Sequence, residues 1–152
     1  SNPYTGILSV FSTRILNNNH IEIFEDGKQS RDFVFIDDVV NATVLAIEDN
    51  ELKSSSLNVG SGFSTSVQKV AYSLKKLYKS DVDIRITGDY RLGDIRHNEA
   101  DITKIKKLLG FSPKVSFVDG LKKFVDWVKK QKVNNDNYEE SINEMKEKGL
   151  MK

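Results

Sequence analysis

The sequence predicts a mixed α/β fold, because segments whose apolar residues recur at helical spacing are interleaved with short segments of alternating apolar and polar residues. Strand patterns occur at residues 21–24, 31–36, 56–59 and 82–87, and helical patterns occur at residues 7–16, 39–46, 67–77, 102–109 and 117–128. These strands are too few for a complete doubly wound sheet. We therefore expect helices with a few short strands, followed by a weakly amphipathic helix that contains Ile142, Met145 and Leu150.

The composition excludes several classes of function. The chain has 152 residues, of which 38% are apolar, and this is enough for the core of one modest domain. Its 23 basic and 22 acidic residues nearly cancel, so no net field favours nucleic acid or a membrane surface. There is no cysteine, which excludes disulfides and thiolate metal sites. No apolar run approaches the roughly 20 residues of a membrane span, and we expect a cytoplasmic protein.

The most informative stretch is residues 25–46. Asp26 and Gly27 predict a turn, and residues 31–36 predict a half-buried strand, so Arg31 stands at the start of a rigid element. A guanidinium held in this way presents forked donors that suit a phosphate or a carboxylate. The alternative for Arg31 is an ion pair with Asp32, Asp37 or Asp38.

Polar residues and glycines predict where the helices begin and end. The expected signals are Asp37 or Asp38 before a helix starting at Val39, a capping pair of Thr65 and Gln68, Asp101 as a cap, Gly110 as a terminator, and Ser116 as a further cap. Residues 89–100 have no clear periodicity and predict an ordered loop. Trp127 lies on a predicted helix, and we expect it in the core.

Three further patterns have both a functional and a structural explanation. The turn at residues 60–62, Gly-Ser-Gly, partly matches a dinucleotide fingerprint, but Thr65 replaces the third glycine, so a plain strand-to-helix turn is favoured. Tyr72 and Lys76 have the spacing of a catalytic tyrosine and lysine pair. His97 could act as an acid, a base or a metal ligand, but no ligand spacing accompanies it. We therefore expect no metal site.

The chain contains three longer motifs in order, GKQSRDFVFIDDVVNA, NVGSGFSTSVQKVA and YRLGDIRHNEAD. They resemble the C-terminal half of the extended short-chain dehydrogenase/reductases, the NAD-dependent nucleotide-sugar epimerases and dehydratases of the UDP-glucose 4-epimerase type. The resemblance implies a substrate-binding portion that lacks the N-terminal Rossmann half. The chain begins with Ser rather than Met, which also suggests a fragment. We predict a substrate-binding domain fragment at residues 1–133, and a polar linker with a C-terminal helix at residues 134–152.

The resemblance also implies a set of substrate-binding residues, which are Phe24, Arg31, Phe33, Val67, Arg91, Asp94 and Asn98. Arg91 would grip the diphosphate, Asp94 would accept from a ribose hydroxyl, and Phe24 would lie near the base. We expect Arg31 and Arg91 to converge on one anion site, because a diphosphate has two charges and several acceptors.

The family places its catalytic tyrosine and lysine upstream of these motifs, so Tyr72 and Lys76 are interpreted as a coincidence on a surface helix. The resemblance therefore implies the substrate-binding part of an NAD-dependent nucleotide-sugar 4-epimerase, acting on a UDP- or dTDP-sugar, with no catalytic residue in this chain. The full-length parent would hold NAD and form a homodimer, whereas no cofactor is expected on this chain. The alternatives are a dehydratase or decarboxylase of the same family, or a non-catalytic nucleotide-binding module.

Overall fold

A computed structural model describes residues 6–52, 54–132 and 135–152, and over these residues the fold is mixed α/β, as the sequence predicts. The elements are α1 (Ile7–Leu16), β1 (Ile21–Ile23), β2 (Ser30–Asp32), α2 (Ile36–Glu48), β3 (Ser64–Ser66), α3 (Val67–Tyr78), β4 (Ile84–Ile86), α4 (Thr103–Leu109), α5 (Phe117–Val128) and α6 (Tyr138–Glu147). The strands form two small sheets, β1 with β4 and β2 with β3. The predicted boundary between residues 133 and 134 lies outside the described residues.

The chain divides into two compact units. The first unit comprises Ser1–Gln29, Ser66–Arg96 and Lys122–Lys152, and the second comprises Ser30–Thr65 and His97–Leu121. No helix among the described residues combines the length and the hydropathy that crossing a membrane requires.

The first unit is built on the parallel pair of β1 and β4, in which Ile21 lies opposite Ile84. The β-branched side chains of Ile21 and Ile23 are completely buried, and α1 and α3 pack around this pair. The α3 helix is capped by Ser66, whose hydroxyl accepts from the Lys69 amide at 3.2 Å. The predicted capping pair of Thr65 and Gln68 is therefore wrong by one position, because α3 begins at Val67 and its N-cap is Ser66.

The second unit has its own core around Ala42, Ile105 and Phe111, between α2 and α4. The predicted strand at residues 56–59 is wrong, since this segment forms no strand and its apolar side chains, Leu57 and Val59, pack against the same cluster. Gly110 ends α4 in a left-handed conformation with φ of 63°, as predicted.

The predicted strand at residues 31–36 is correct only as far as Asp32, because α2 already begins at Ile36 with Phe35 as its N-cap. Asp37 and Asp38 therefore lie in the first turn of α2 and not at its N-cap, so the prediction of either as the cap is wrong. Asp38 is instead buried, and its carboxylate accepts from the backbone amides of Lys114 and Val115 at 2.9 and 3.0 Å. Its position in the first turn also favours a negative charge, because the helix dipole is positive there.

Helix α5 begins as predicted, because the Ser116 hydroxyl accepts from the Asp119 amide at 3.2 Å and donates to the Asp119 carboxylate at 2.7 Å. The expectation for Trp127 is wrong. Leu121 and Val125 form the buried face of α5, whereas Trp127 is 59% exposed. Two positions along a helix correspond to a rotation of about 200°, so Trp127 lies opposite Val125.

We expect Asp38→Ala to lower the free energy of unfolding by about 2 kcal/mol, because two backbone amides lose their shared acceptor. Urea denaturation of the chain measures this change. Glu48→Ala is the matched control, since Glu48 is exposed at the other end of α2 and should change stability by less than about 0.5 kcal/mol. Equal effects of the two substitutions would contradict the structural role of Asp38.

Candidate functional site

In the first unit, Phe24 is presented by the tight turn that follows β1. Glu25 and Gly27 both have positive φ, 51° and 75°, and the Gly27 amide donates to the Phe24 carbonyl at 3.3 Å. A Cβ on Gly27 would lie 3.3 Å from side-chain atoms of Gln68 and Ile23, so glycine suits both the backbone and the space. The turn therefore fixes where the Phe24 ring leaves the strand.

Arg91 lies against Phe24. Its guanidinium carbon is 5.3 Å from the centre of the Phe24 ring, within the range of a cation–π contact. The Nε of Arg91 is buried and has no hydrogen-bond partner among the described residues. Residues 89–100 are otherwise irregular, as predicted, with only isolated bridges at Arg91 and His97. The loop therefore contains a buried nitrogen, Arg91 Nε, that can donate a hydrogen bond.

Asp94 lies on the same loop, where its amide donates to the Arg91 carbonyl at 3.3 Å. The structure thus brings Phe24, Arg91 and Asp94 into one neighbourhood of the first unit. Val67 belongs to the same unit as the first residue of α3. Its side chain is buried, and its amide donates to the Gln29 carbonyl at 2.9 Å.

Arg96 holds this loop to the turn after β1, a role that no local sequence pattern predicted. Its guanidinium forms ion pairs with Glu25 at 2.6 Å and with Asp26 at 2.7 Å. The hydrogen bond that Asp26 accepts from Arg96, together with one from the Lys28 backbone amide, lowers the pKa of Asp26 from 3.8 to about 2. The same pairing raises the pKa of Arg96. An acidic pair at a turn and an arginine 70 positions later gave no local signal in the sequence.

The remaining predicted residues lie in the second unit, where Arg31 and Asn98 meet at one carbonyl group. The Ser30 carbonyl accepts from Arg31 Nη1 at 2.9 Å and from the backbone amide of Asn98 at 3.1 Å. The Ser30 hydroxyl lies 2.9 Å from His97 Nδ1, which gives this histidine a structural partner. The Phe33 ring lies 5.5 Å from the Phe117 ring, centre to centre.

Asp32, directly after Arg31, organises the glycine-rich turn. Its carboxylate accepts from the Ser61 amide at 2.8 Å, the Ser61 hydroxyl at 2.6 Å, the Gly62 amide at 3.0 Å and the Ala100 amide at 3.3 Å. A Cβ on Gly60 would collide with Ala100 Cβ and lie 2.6 Å from an Asp32 oxygen. A dinucleotide diphosphate needs turn amides of this kind, and here they already bind a carboxylate of the chain. This turn does not fit NAD.

Two other sequence patterns gain no support as catalytic or metal sites. Tyr72 is 54% exposed and Lys76 is exposed, both on α3, as expected for a surface coincidence. Within the described part of the chain, no group of three or more histidine, aspartate or glutamate side chains is arranged to hold a metal ion.

The fold and these motifs match one protein family. The model of the NAD-dependent epimerase/dehydratase family matches residues 1–60. A UDP-N-acetyl-alpha-D-glucosaminuronate decarboxylase of Bacillus cytotoxicus is 32% identical over 88% of this chain and 42% of its own length. A dTDP-L-rhamnose 4-epimerase of Burkholderia thailandensis is 33% identical over 84% of this chain and 35% of its own length.

Solved structures give the same result. The UDP-glucose 4-epimerase of Thermotoga maritima, solved with UDP-glucose, is 38% identical with a TM-score of 0.73, over 85% of this chain and 41% of that one. The UDP-glucuronic acid 4-epimerase of Bacillus cereus, solved with UDP-glucuronic acid and NAD, has a TM-score of 0.76 at 29% identity, over 85% of this chain and 41% of that one. Residues 1–60 thus match the model of the NAD-dependent epimerase/dehydratase family, and most of the chain is similar in sequence and fold to the epimerases and the decarboxylase named above. The chain spans less than half of the length of these relatives.

We expect the Asp26 carboxyl to titrate near pH 2 and to return toward 3.8 in Arg96→Met, because the methionine keeps the stem volume and removes the ion pair. The depressed folded pKa means that the pair stabilises the fold above about pH 3.8, and this contribution is lost as the pH falls toward 2. Carbon-13 NMR of the carboxyl group measures the titration. Arg85→Met, which removes an exposed pair with Asp83, is the control and should leave Asp26 unchanged.

Proposed function

We propose that this chain is the substrate-binding part of an NAD-dependent nucleotide-sugar 4-epimerase, and that it binds the diphosphate of a UDP- or dTDP-sugar. Similarity to enzymes of this family supports the reaction class. The size of the chain, less than half that of its relatives, supports the idea that the remaining functions belong to further sequence of the whole enzyme. NAD belongs with those functions, since the Gly60–Gly62 turn does not fit it. We also propose that the whole enzyme is a cytoplasmic homodimer.

The proposal rests on Arg91, whose buried Nε has no hydrogen-bond partner among the described residues. A buried donor without an acceptor costs about 1–3 kcal/mol, so its retention calls for a partner. Arg91 has such a donor at Nε, and its guanidinium carbon stands 5.3 Å from the Phe24 ring centre. A diphosphate oxygen would satisfy the donor, and the nearby aromatic ring would suit a base or ribose.

The proposed roles of the other residues follow the same chemistry. Asp94 would accept a hydrogen bond from a ribose hydroxyl. In the second unit, Arg31 offers a guanidinium of the kind that binds phosphate. The other proposed contacts are Phe24 near the base, with Phe33, Val67 and Asn98 lining the nucleotide. These residues hold one end of the substrate, and such remote binding energy helps a reaction by fixing the reacting sugar in place.

A decarboxylase or dehydratase of the same family is the second candidate, and the similarity to the Bacillus cytotoxicus decarboxylase favours it. Both candidates need the same nucleotide-diphosphate contacts. They differ in the reaction that the sugar undergoes. A non-catalytic nucleotide-binding module is a further alternative, which predicts the same nucleotide binding without turnover in any longer form of the protein.

We expect Arg91→Met and Arg31→Met each to weaken UDP binding by roughly tenfold to a hundredfold, since a charge-assisted hydrogen bond is worth about 1.5–3 kcal/mol. Titration calorimetry with UDP measures the affinity. Arg85→Met is the matched control, because Arg85 is an exposed arginine of the same unit as Arg91 and should leave the affinity unchanged. A change of less than twofold in both test variants would contradict the proposed site.

The chain by itself should show no epimerisation, because no catalytic tyrosine and lysine pair is assigned to it. Incubation with NAD and a panel of UDP- and dTDP-sugars, followed by chromatography of the sugars, tests this. Turnover well above a protein-free control would contradict the assignment. Tyr72→Phe and Lys76→Met would then show whether that pair is responsible.

A further inference from the structure

The C-terminal segment, residues 138–152, packs onto the proposed nucleotide site of the first unit. Helix α6 buries Ile142 and Met145, and the chain then returns so that Met151 joins them at 5% exposure. These three side chains form an apolar cluster against which Phe24 and Tyr138 pack. The aromatic ring proposed to lie near the base is thus supported from within by the end of the chain.

The same segment holds the backbone on both sides of Arg91. The Tyr90 amide donates to the Lys152 carbonyl at 2.7 Å, and the Lys152 amide donates back to the Tyr90 carbonyl at 3.0 Å. The Leu92 amide donates to the Leu150 carbonyl at 2.9 Å. Arg91 lies opposite Met151 in this short antiparallel bridge. An otherwise irregular loop therefore has fixed dihedral angles at the residue that carries the unpartnered donor.

The beginning of the segment is fastened to the body of the unit by a buried arginine. Arg14, 3% exposed, binds Glu139 at 2.9 Å and Asp136 at 3.3 Å, and its guanidinium carbon lies 4.5 Å from the Tyr138 ring centre. The Tyr138 hydroxyl donates to Glu22 at 3.1 Å, and burial together with the Glu22 charge raises the pKa of Tyr138. Both ends of the segment are thus fixed, one by charge and the other by apolar packing.

We propose that residues 138–152 are a positioning element of the nucleotide site, which holds Arg91 and Phe24 in the conformation that receives the diphosphate and the base. This inference rests on the proposed function. Ordering a loop arginine at the moment of binding would cost affinity, and a segment that orders it beforehand avoids that cost. Met151 acts through Arg91 and Phe24, so it is a positioning residue.

The test uses three substitutions in the 152-residue chain and UDP as the probe. Met151→Ser removes the apolar anchor, Met151→Leu keeps it, and Leu108→Ser changes a side chain of α4 that is 46% exposed and lies outside the segment. Hydrogen exchange of the Tyr90 and Leu92 amides reports whether the segment stays paired, and calorimetry reports the UDP affinity. Met151→Ala replaces Met151→Ser if the latter also loses protection at the amides of β1.

We expect Met151→Ser to speed exchange at Tyr90 and Leu92 and to weaken UDP binding about three- to tenfold. Met151→Leu and Leu108→Ser should stay within twofold of the unsubstituted chain. Arg91→Met should cost less affinity when combined with Met151→Ser than it does alone, because both changes remove the same contact.

Two outcomes separate the inference from the function on which it rests. If the unsubstituted chain binds no UDP at millimolar concentration, the proposed function fails and the inference fails with it. If the chain binds UDP and Met151→Ser releases the segment without weakening binding, only the inference is overturned. Tighter binding by Met151→Ser would also overturn it, since the segment would then cover the site rather than position it.

Discussion

The carboxylate of Asp32 is the interaction on which the second unit depends. It receives four hydrogen bonds, from Ser61, Gly62 and Ala100, and so joins the end of β2, the glycine-rich turn and the end of the loop that carries Asn98. Asp32 is partly buried, and a carboxylate that is removed from water needs donors of this kind to replace its hydration. The close approach also explains the glycine at position 60, where any side chain would meet Asp32.

Acidic residues serve the architecture elsewhere in the chain in the same manner. Asp38 fixes the backbone at residues 114 and 115, and Asp26 joins the turn after β1 to Arg96. Lys114 lies 76 positions from Asp38 in sequence, and Arg96 lies 70 positions from Asp26. A chain with short strands and small sheets gains long-range order from these bonds, which a longer sheet would supply through its own ladder.

The two arginines of the proposed site are held by different means. The Arg31 guanidinium donates to the carbonyl of Ser30, the residue before it in β2. Arg91 is placed by the backbone pairing of its neighbours, Tyr90 and Leu92, with the C-terminal segment. A guanidinium is useful for recognition of a diphosphate when its position is fixed before the ligand arrives, because less side-chain entropy is then lost. The chain thus uses contacts between segments to hold charged side chains in place.

The sequence by itself determined the elements that depend on nearby residues. Helices α1, α3, α4 and α5, the strand β1 and the Gly110 terminator follow from apolar spacing and capping chemistry. The resemblance to the epimerase/dehydratase family follows from three motifs in order, of which the first, with Arg31 and Asp32, lies within the match to the family model. These signals are local, since a helix or a turn is specified within a few residues.

Only the tertiary structure decided the rest. Residues 56–59 have the pattern of a strand, but they pack their apolar side chains on a core cluster without forming one, and Trp127 faces solvent because Leu121 and Val125 already form the buried face of α5. The bonds of Asp32, the ion pairs of Arg96 and the packing of Phe24 against the cluster that contains Met151 each join residues that are distant in sequence. A strand forms only if another strand pairs with it, and a long-range ion pair forms only once the chain has folded. A local sequence pattern contains neither kind of information.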